Sequence, residues 1–259
     1  MKKVRSIFKD GDHEWSVIAR DPERASFIID TNEYLVHKNG HLLITDPGGL
    51  EIFPVVYAAL CESHDPGGLE KIFSSHQDPD IISSLGLWLE VNPGMKCYLS
   101  RLWTSFVPHF GGNDSTFISL PDGGLEFELS DLKLQAFPAH YLHSSGNFHM
   151  YDEKARILFS GDVGAALLPG GVHDVFVNDF DKHIEYAREF HRRWMPSQEA
   201  ARDWCERVSS LKIDMLCPQH GSIYAGANVE RFINWFSELE VGLAALSVEA
   251  SGMQGLPTQ

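Results

Sequence analysis

The sequence predicts an α/β fold in which short buried strands alternate with helices. Short apolar runs that end at turn residues dominate the first half, as where residues 41–44 precede Asp46-Pro47-Gly48-Gly49. Two long segments with apolar residues at helical spacing, 180–193 and 197–209, follow in the second half. The chain has 259 residues, 43% of them hydrophobic, which is enough for a large core.

Each element is predicted from its own pattern. Buried runs bounded by turn residues indicate strands at 26–30, 34–37, 41–44, 71–75, 96–99, 125–129, 132–137, 156–160 and 213–217. Helical spacing indicates helices at 53–61, 81–90, 180–193, 197–209 and 229–246. The helix at Ser197 has a good start, because that hydroxyl can accept a hydrogen bond from the exposed amides. No linker or repeat divides the chain, so we expect one domain over residues 1–250 and a loose tail over 251–259.

Composition argues against several classes of partner. The formal charge of -15 repels nucleic acid and anionic lipid. No stretch approaches the roughly 20 apolar residues needed to cross a bilayer. The four cysteines are widely spaced without a CxxC pair, and no apolar signal core follows the N-terminal lysines. We therefore expect a cytoplasmic protein that binds neither nucleic acid nor membranes.

The strongest local motif is Ser75-His76-Gln77-Asp78-Pro79-Asp80, where an imidazole and two carboxylates alternate after a predicted strand. Alternation in an extended loop places His76, Asp78 and Asp80 on one side, as a metal site requires. The alternative interpretation is a polar turn in which Asp80 caps the following helix.

Three further segments place ligand-type residues after a strand and before small residues. They contain His140 and His143, then Asp162 in Ser160-Gly161-Asp162, then His220 in Gln219-His220-Gly221. Strand ends at one edge of a sheet are where polar groups can converge. Each segment alone also fits a turn or a cap, but four together favour a metal site.

These motifs resemble the metallo-β-lactamase superfamily, and within it the diiron domain of flavodiiron proteins. The first motif of that family is His-x-Glu/His-x-Asp-His, followed by a distant His, a bridging Asp and a late His before Gly. The resemblance covers about residues 34–236 and includes the runs 194–197 and 213–221. It implies an αββα four-layer sandwich. The matching residues here are His76, Asp78, Asp80, His143, Asp162 and His220.

The resemblance also implies which residue holds which ion. His76, Asp78 and His143 would hold the first metal, Asp80 and His220 the second, and Asp162 would bridge the two. His143 is chosen over His140 because Leu142-His143 fits the Leu-His pair of the family. His140 would then lie next to the metal ligands without binding a metal, or pack against neighbouring side chains.

Two positions depart from the family pattern. Asp78 stands where flavodiiron proteins usually have Glu and hydrolases have His, which keeps a carboxylate on a shorter side chain. Ile81 replaces the His that ends the first motif in most relatives. This change removes a candidate ligand from the second metal and leaves an open or water-filled position.

Three imidazoles and three carboxylates without a thiolate suit iron, with manganese or zinc as alternatives. The resemblance implies two iron ions and a dioxygen or similar small ligand. We expect no FMN domain in this chain, so the protein would act as a sensor or carrier, or as an oxidoreductase with a separate redox partner. The resemblance also suggests a homodimer.

Two other functions fit the same residues. One is a hydrolase in which a metal-bound hydroxide attacks a thioester, lactone or phosphoester. The other is a scaffold whose metal site has degenerated. His109 would reach the site from a loop, and His173 would sit on a lid. Four aromatic residues would form a wall around the site: Phe110, Phe148, Trp194 and Tyr224.

Overall fold

The computed structural model describes residues 4–21, 23 and 28–242, and in this part of the chain strands and helices alternate. The strands are β1 (Val4–Asp10), β2 (His13–Ile18), β3 (Glu33–Lys38), β4 (His41–Thr45), β5 (Leu69–Phe73), β6 (Lys96–Ser100), β7 (Phe117–Leu120), β8 (Leu125–Leu129), β9 (Leu132–Pro138), β10 (Phe148–Asp152), β11 (Ile157–Gly161), β12 (Met215–Pro218) and β13 (Tyr224–Ala225). The helices are α1 (Phe53–Ser63), α2 (Pro79–Ile82), α3 (Leu85–Val91), α4 (Phe180–Trp194), α5 (Gln198–Ser209) and α6 (Ala227–Glu238).

The strands form two sheets. The first sheet has the order β1-β2-β3-β4-β5-β6-β7, with antiparallel pairs up to β4 and parallel pairs from β4 to β7. The second has the order β13-β12-β11-β10-β9-β8, in which only β11 and β12 pair in parallel among the described strands. Parallel neighbours end at the same edge of a sheet, and this edge is where the ligand-type residues follow.

Three apolar layers hold the two sheets and their helices together. One lies between the first sheet and α1 to α3, and includes Val56 and Trp88. A second fills the space between the sheets, where Trp15 and Phe159 pack. A third joins the second sheet to α4 to α6, around Trp204. The order helix, sheet, sheet, helix confirms the predicted αββα four-layer sandwich.

A buried polar contact also joins the sheets, and we call its members, His13, Trp15 and Asp152, the His13–Asp152 cluster. Nε2 of His13 and Nε1 of Trp15 both donate to Oδ2 of Asp152, over 2.8 and 2.7 Å. Oδ1 accepts from the backbone N–H of Ala155 at 3.0 Å. All three side chains of the cluster are fully buried. The carboxylate is therefore satisfied on both oxygens, as a buried charge requires.

Most predicted elements are present, with shifted ends. The predicted helix 81–90 is divided into α2 and α3, because the Ser84 hydroxyl donates to the carbonyl of Gly48 (2.7 Å) and accepts from Trp88 Nε1 (3.1 Å). The predicted helix 229–246 ends at Glu238, where the chain turns and the N–H of Val241 donates to the Gln198 side chain. Ser197 caps α5 by accepting from the N–H of Ala200, as expected.

Some predictions were wrong or fall outside the described residues. The hairpin β1–β2 and strand β7 were not predicted. Residues 28–30 do not form a strand, and the rest of the predicted strand 26–30 lies outside the described residues, as do residues 243–246 and the tail 251–259. Among the residues described, no helix combines the length and the apolar character that a membrane span requires.

Candidate metal centre

The six predicted ligands come from four loops at one edge of the sandwich. His76, Asp78 and Asp80 follow β5 of the first sheet. The other three belong to the second sheet: His143 lies between β9 and β10, Asp162 follows β11 directly, and His220 follows β12. The structure brings all six side chains together, and we call them the six-residue site.

The first half of the site contains His76, Asp78 and His143. Nε2 of His76 lies 3.6 Å from Oδ2 of Asp78, and Nε2 of His143 lies 3.5 Å from the same oxygen. One ligand atom from each of the three residues lies within 4.8 Å of the other two. Two nitrogens and one oxygen at these separations can face one common ion.

Asp162 lies between this group and the second half of the site. Its Oδ2 is 3.4 Å from His76 Nε2 and 2.7 Å from His143 Nε2. Its Oδ1 is turned towards His220, whose Nε2 lies 3.3 Å away. The same Nε2 is 3.4 Å from Oδ2 of Asp80. The two oxygens of Asp162 therefore face two different groups of side chains.

Contacts behind the site fix two of the imidazoles. The Ser75 hydroxyl donates to Asp46 Oδ2 (2.6 Å), so it can only accept at His76 Nδ1, 2.9 Å away. The N–H of Ser75 donates to the other oxygen of Asp46 at 2.7 Å. Nδ1 of His220 donates to the carbonyl of Asp30 at 2.8 Å. Both rings thus carry the proton on Nδ1 and turn Nε2 to the site, the arrangement expected of metal-binding histidines.

The electrostatics of the site favour the charged forms of His76, Asp162 and His220. Burial alone would lower the pKa of His76, but Asp78 and the nearby carboxylates raise it to about 9. Burial likewise opposes the charge of Asp162, yet contacts with His143 and His220 hold the pKa of Asp162 well below its usual range. The carboxylates Asp162 and Asp80 raise the pKa of His220 well above its usual value, against the effect of burial. Without metal, protons on His76 and His220 balance these carboxylates.

Two atoms at the centre of the site show that these side chains fit a cation. Nε2 of His76 and Oδ1 of Asp162 are buried, and neither has a hydrogen-bond partner among the described residues. Leaving such atoms unpaired costs about 1–3 kcal/mol each, more for charged groups. A metal ion facing both groups would satisfy them. The donor set fits the dimetal site predicted from the sequence.

The structure places His140 and Ile81 outside the site. His140 Nε2 donates to the carbonyl of Asp122 at 2.9 Å, and its ring packs edge-on against Phe148. Ile81 is fully buried in the layer between the first sheet and its helices. Asp78, and not Asp80, is the cap residue of α2, and its side chain makes no capping bond.

Of the four aromatic residues proposed as a wall, Trp194 is the one with a ring contact to the six-residue site, against His143. Phe148 packs against His140, and Tyr224 packs against His183. His109 is exposed in the short 3-10 helix Val107–Phe110, and His173 is exposed in a loop. The sequence analysis did not identify Asp46, Ser75 or Asp30 as supporting residues. Asp46 stands at the start of the Asp-Pro-Gly-Gly turn after β4, which was the available signal.

Known proteins share this fold and, in part, this sequence. The family described as ODP family beta lactamase matches residues 29–221. The apo state of the chemotaxis sensor ODP from T. denticola is 35% identical with a TM-score of 0.86, covering 95% of this chain and 98% of that chain. A structure of a peroxy diiron species of chemotaxis sensor ODP is 34% identical with a TM-score of 0.84 and the same coverage.

Two longer proteins match only over part of their length. A flavo di-iron protein variant from Thermotoga maritima is 25% identical with a TM-score of 0.77, covering 91% of this chain and 61% of that chain. An uncharacterised protein of Methanocaldococcus jannaschii is 24% identical over 213 residues, and the chain spans about half of its length (52%). Since the family match extends from residue 29 to residue 221, across all four loops of the six-residue site, the chain belongs to the ODP family of metallo-β-lactamase-like proteins.

Proposed function

We propose that this protein is a non-haem diiron protein that binds dioxygen or a related small molecule at the six-residue site. The observation that carries the proposal is the position of Asp162, whose two oxygens face His143 on one side and His220 on the other. A carboxylate placed in this way can bridge two ions.

Each half of the site has its own donors under this proposal. His76, Asp78 and His143 would hold the first ion, and Asp80 and His220 the second. Among the described residues, Asp80 and His220 would serve the second ion besides Asp162, because Ile81 is buried in the core and offers no ligand. The second ion would therefore have more open positions than the first, and open positions are what small ligands need.

The chemistry of the donors favours iron. Three carboxylates with three imidazoles make a hard, oxygen-rich set that suits iron or manganese better than soft metals, with zinc as a further possibility. Two divalent ions carry a charge of +4 against the -3 of the three aspartates, so a small anionic ligand is favoured. When bound, two ferrous ions supply the electrons and the open positions that dioxygen binding requires.

The similarity to ODP supports a role as a sensor or carrier. ODP is described as a chemotaxis sensor, and one of its structures contains a peroxy diiron species. Catalytic reduction of dioxygen would need a supply of electrons, and the match to the flavo di-iron relative covers 61% of that chain. A homodimer and a cytoplasmic location remain predictions.

Anaerobic reconstitution with ferrous iron tests the proposal. We expect two irons per chain by metal analysis and a new charge-transfer absorption band when oxygen is added. Reconstitution with zinc, followed by assays on thioester, lactone and phosphoester substrates, serves as the comparison. A protein that takes up two zinc ions in preference to iron, stays colourless in oxygen and cleaves these esters would instead be a hydrolase.

A further inference from the structure

Trp194, the last residue of α4, lies against the six-residue site from the solvent side. Its ring centre is 5.6 Å from that of His143, with the two planes inclined by 60°. The Trp194 side chain remains 53% exposed, whereas His143 is only 14% exposed although it belongs to a surface loop. Tyr141, two residues earlier in the same loop, is 53% exposed. The indole therefore covers an imidazole that its own loop would leave open to water.

The rest of α4 holds Trp194 in place. Phe190, one turn earlier, stacks on it with ring centres 6.1 Å apart and also packs 6.3 Å from His220. Met195, the next residue, is fully buried. Nε2 of His191 accepts from the N–H of Gly164, two residues after Asp162. The helix end is thus held against the loop of the site, and the stack with Phe190 restricts the Trp194 side chain.

The carboxylates of Asp78 and Asp80 are the most exposed members of the site. The Asp78 side chain is 30% exposed and that of Asp80 is 28% exposed. His76, Asp162 and His220, in contrast, are between 1% and 4% exposed and form the floor. The site is therefore closed below and beside His143, and most exposed at the two carboxylates.

We propose that Trp194 is a positioning and shielding residue that closes the His143 side of the site and confines access to small molecules passing Asp78 and Asp80. This inference rests on the proposed function, since it takes His143 as a metal ligand. By contact, the indole of Trp194 fixes the orientation of the His143 ring. It also excludes water and larger molecules from the metal–nitrogen bond. A bulky chelator or reductant cannot approach from this side, whereas a molecule of two or three atoms can enter past the two carboxylates.

The test uses the zinc-loaded protein and two chelators of different size, oxalate and the bulky aromatic 4-(2-pyridylazo)resorcinol. In Trp194→Ala we expect extraction of zinc by the bulky chelator to become about tenfold faster, with a much smaller change for oxalate. Trp194→Phe keeps an aromatic ring on His143 and should stay close to wild type. Phe106→Ala is the matched control, because Phe106 is 60% exposed and packs on another aromatic residue, Trp103.

A second measurement needs no metal. Diethyl pyrocarbonate should modify His143 several-fold faster in metal-free Trp194→Ala than in wild type, while the rate at His140 stays unchanged. If the alanine variant is unstable, Trp194→Leu, which keeps an apolar contact with Phe190, should change both rates in the same direction. The shielding role would be overturned if a folded variant released zinc to the two chelators at the same relative rates as the wild type and its His143 were modified no faster. Failure of the wild type to bind metal would count against the proposed function alone, because the modification rates still report the cover.

Discussion

Two buried clusters in this molecule pair histidine with aspartate, and they are built for different purposes. In the His13–Asp152 cluster, the aspartate accepts from His13, from Trp15 and from the N–H of Ala155, so both of its oxygens are satisfied. In the six-residue site, Oδ1 of Asp162 has no hydrogen-bond partner among the described residues. Both aspartates are at most 3% exposed, so burial does not distinguish them.

The difference shows what to examine when a buried His–Asp contact is found. In the His13–Asp152 cluster the carboxylate completes its hydrogen bonds, because an unsatisfied buried charge is costly, although Nδ1 of His13 has no hydrogen-bond partner among the described residues. In the six-residue site, atoms are directed at a shared space, and the hydrogen bonds lie behind the imidazoles of His76 and His220, at Ser75 and Asp30. The position of the hydrogen bonds, more than the residue types, distinguishes the cluster that joins the sheets from the site that could bind a metal.

Replacing Asp162 by alanine should lower metal binding, whereas replacing Asp152 by alanine should lower stability. These are the largest expected effects. Asp162→Ala removes the carboxylate facing both halves of the site, so we expect the metal content to fall from two ions to one or fewer per chain. The affinity of the remaining ion should fall by at least about 100-fold, more than the loss usual for a residue outside the ligands. Metal analysis after equilibrium dialysis measures both.

Asp152→Ala is the reciprocal variant. It leaves His13 and Trp15 without their buried acceptor, so the free energy of unfolding should fall by about 3–5 kcal/mol. The folded fraction should still bind as much metal as the wild type. Urea unfolding and metal analysis check the two statements, and a loss of metal from folded Asp152→Ala would mean that the clusters are not independent.

The two histidines of the loop after β9 offer a smaller contrast. His143→Ala should lower the metal content sharply, because its Nε2 lies 2.7 Å from Asp162 and within reach of the first ion. His140→Ala should leave the metal content unchanged, since His140 bonds to the Asp122 carbonyl. Metal counting on both variants, each checked for folding by circular dichroism, decides between them. The reverse result would contradict the assignment of His143.

The smallest expected effect is a pH-dependent loss of stability that comes from His191, a histidine outside the six-residue site. Burial lowers the pKa of His191 to about 4, while its usual unfolded value is near 6.5. The unfolded chain therefore takes up this proton first, and the contribution of neutral His191 to stability is lost as pH falls below about 6.5. Between pH 7 and pH 5 the loss from this group is about 2 kcal/mol.

His191→Gln isolates that contribution. Glutamine can still accept from Gly164 and donate to the carbonyl of Ala187, the two contacts that the imidazole makes. The variant should lose about 2 kcal/mol less stability than the wild type between pH 7 and pH 5. Urea unfolding at both values measures the difference, and equal losses in the two proteins would show that His191 is charged in the folded state.

The sequence predicted the layers and the meeting of the six side chains better than it predicted the surroundings of the site. The alternation of His76, Asp78 and Asp80 is a local property, so it is visible in the chain. The pairing of Asp46 with Ser75 depends on β4 lying beside β5, and no local pattern reports it. His140 and His143 could not be separated by spacing, because the turn between them, closed by the Tyr141 N–H and the Ser144 carbonyl, decides which imidazole enters the site.

The residues of the six-residue site come from both sheets, one loop from the first and three from the second. A pair of ions bound to all of them would cross-link the two halves of the sandwich, much as a disulfide joins distant segments. Separation of the sheets would then require metal–ligand bonds to break first, so the unfolding rate should depend on metal occupancy. A small ligand that changed those metal–ligand bonds would also change how strongly the two sheets are held together. Binding at this edge of the sandwich could then alter the packing of both sheets.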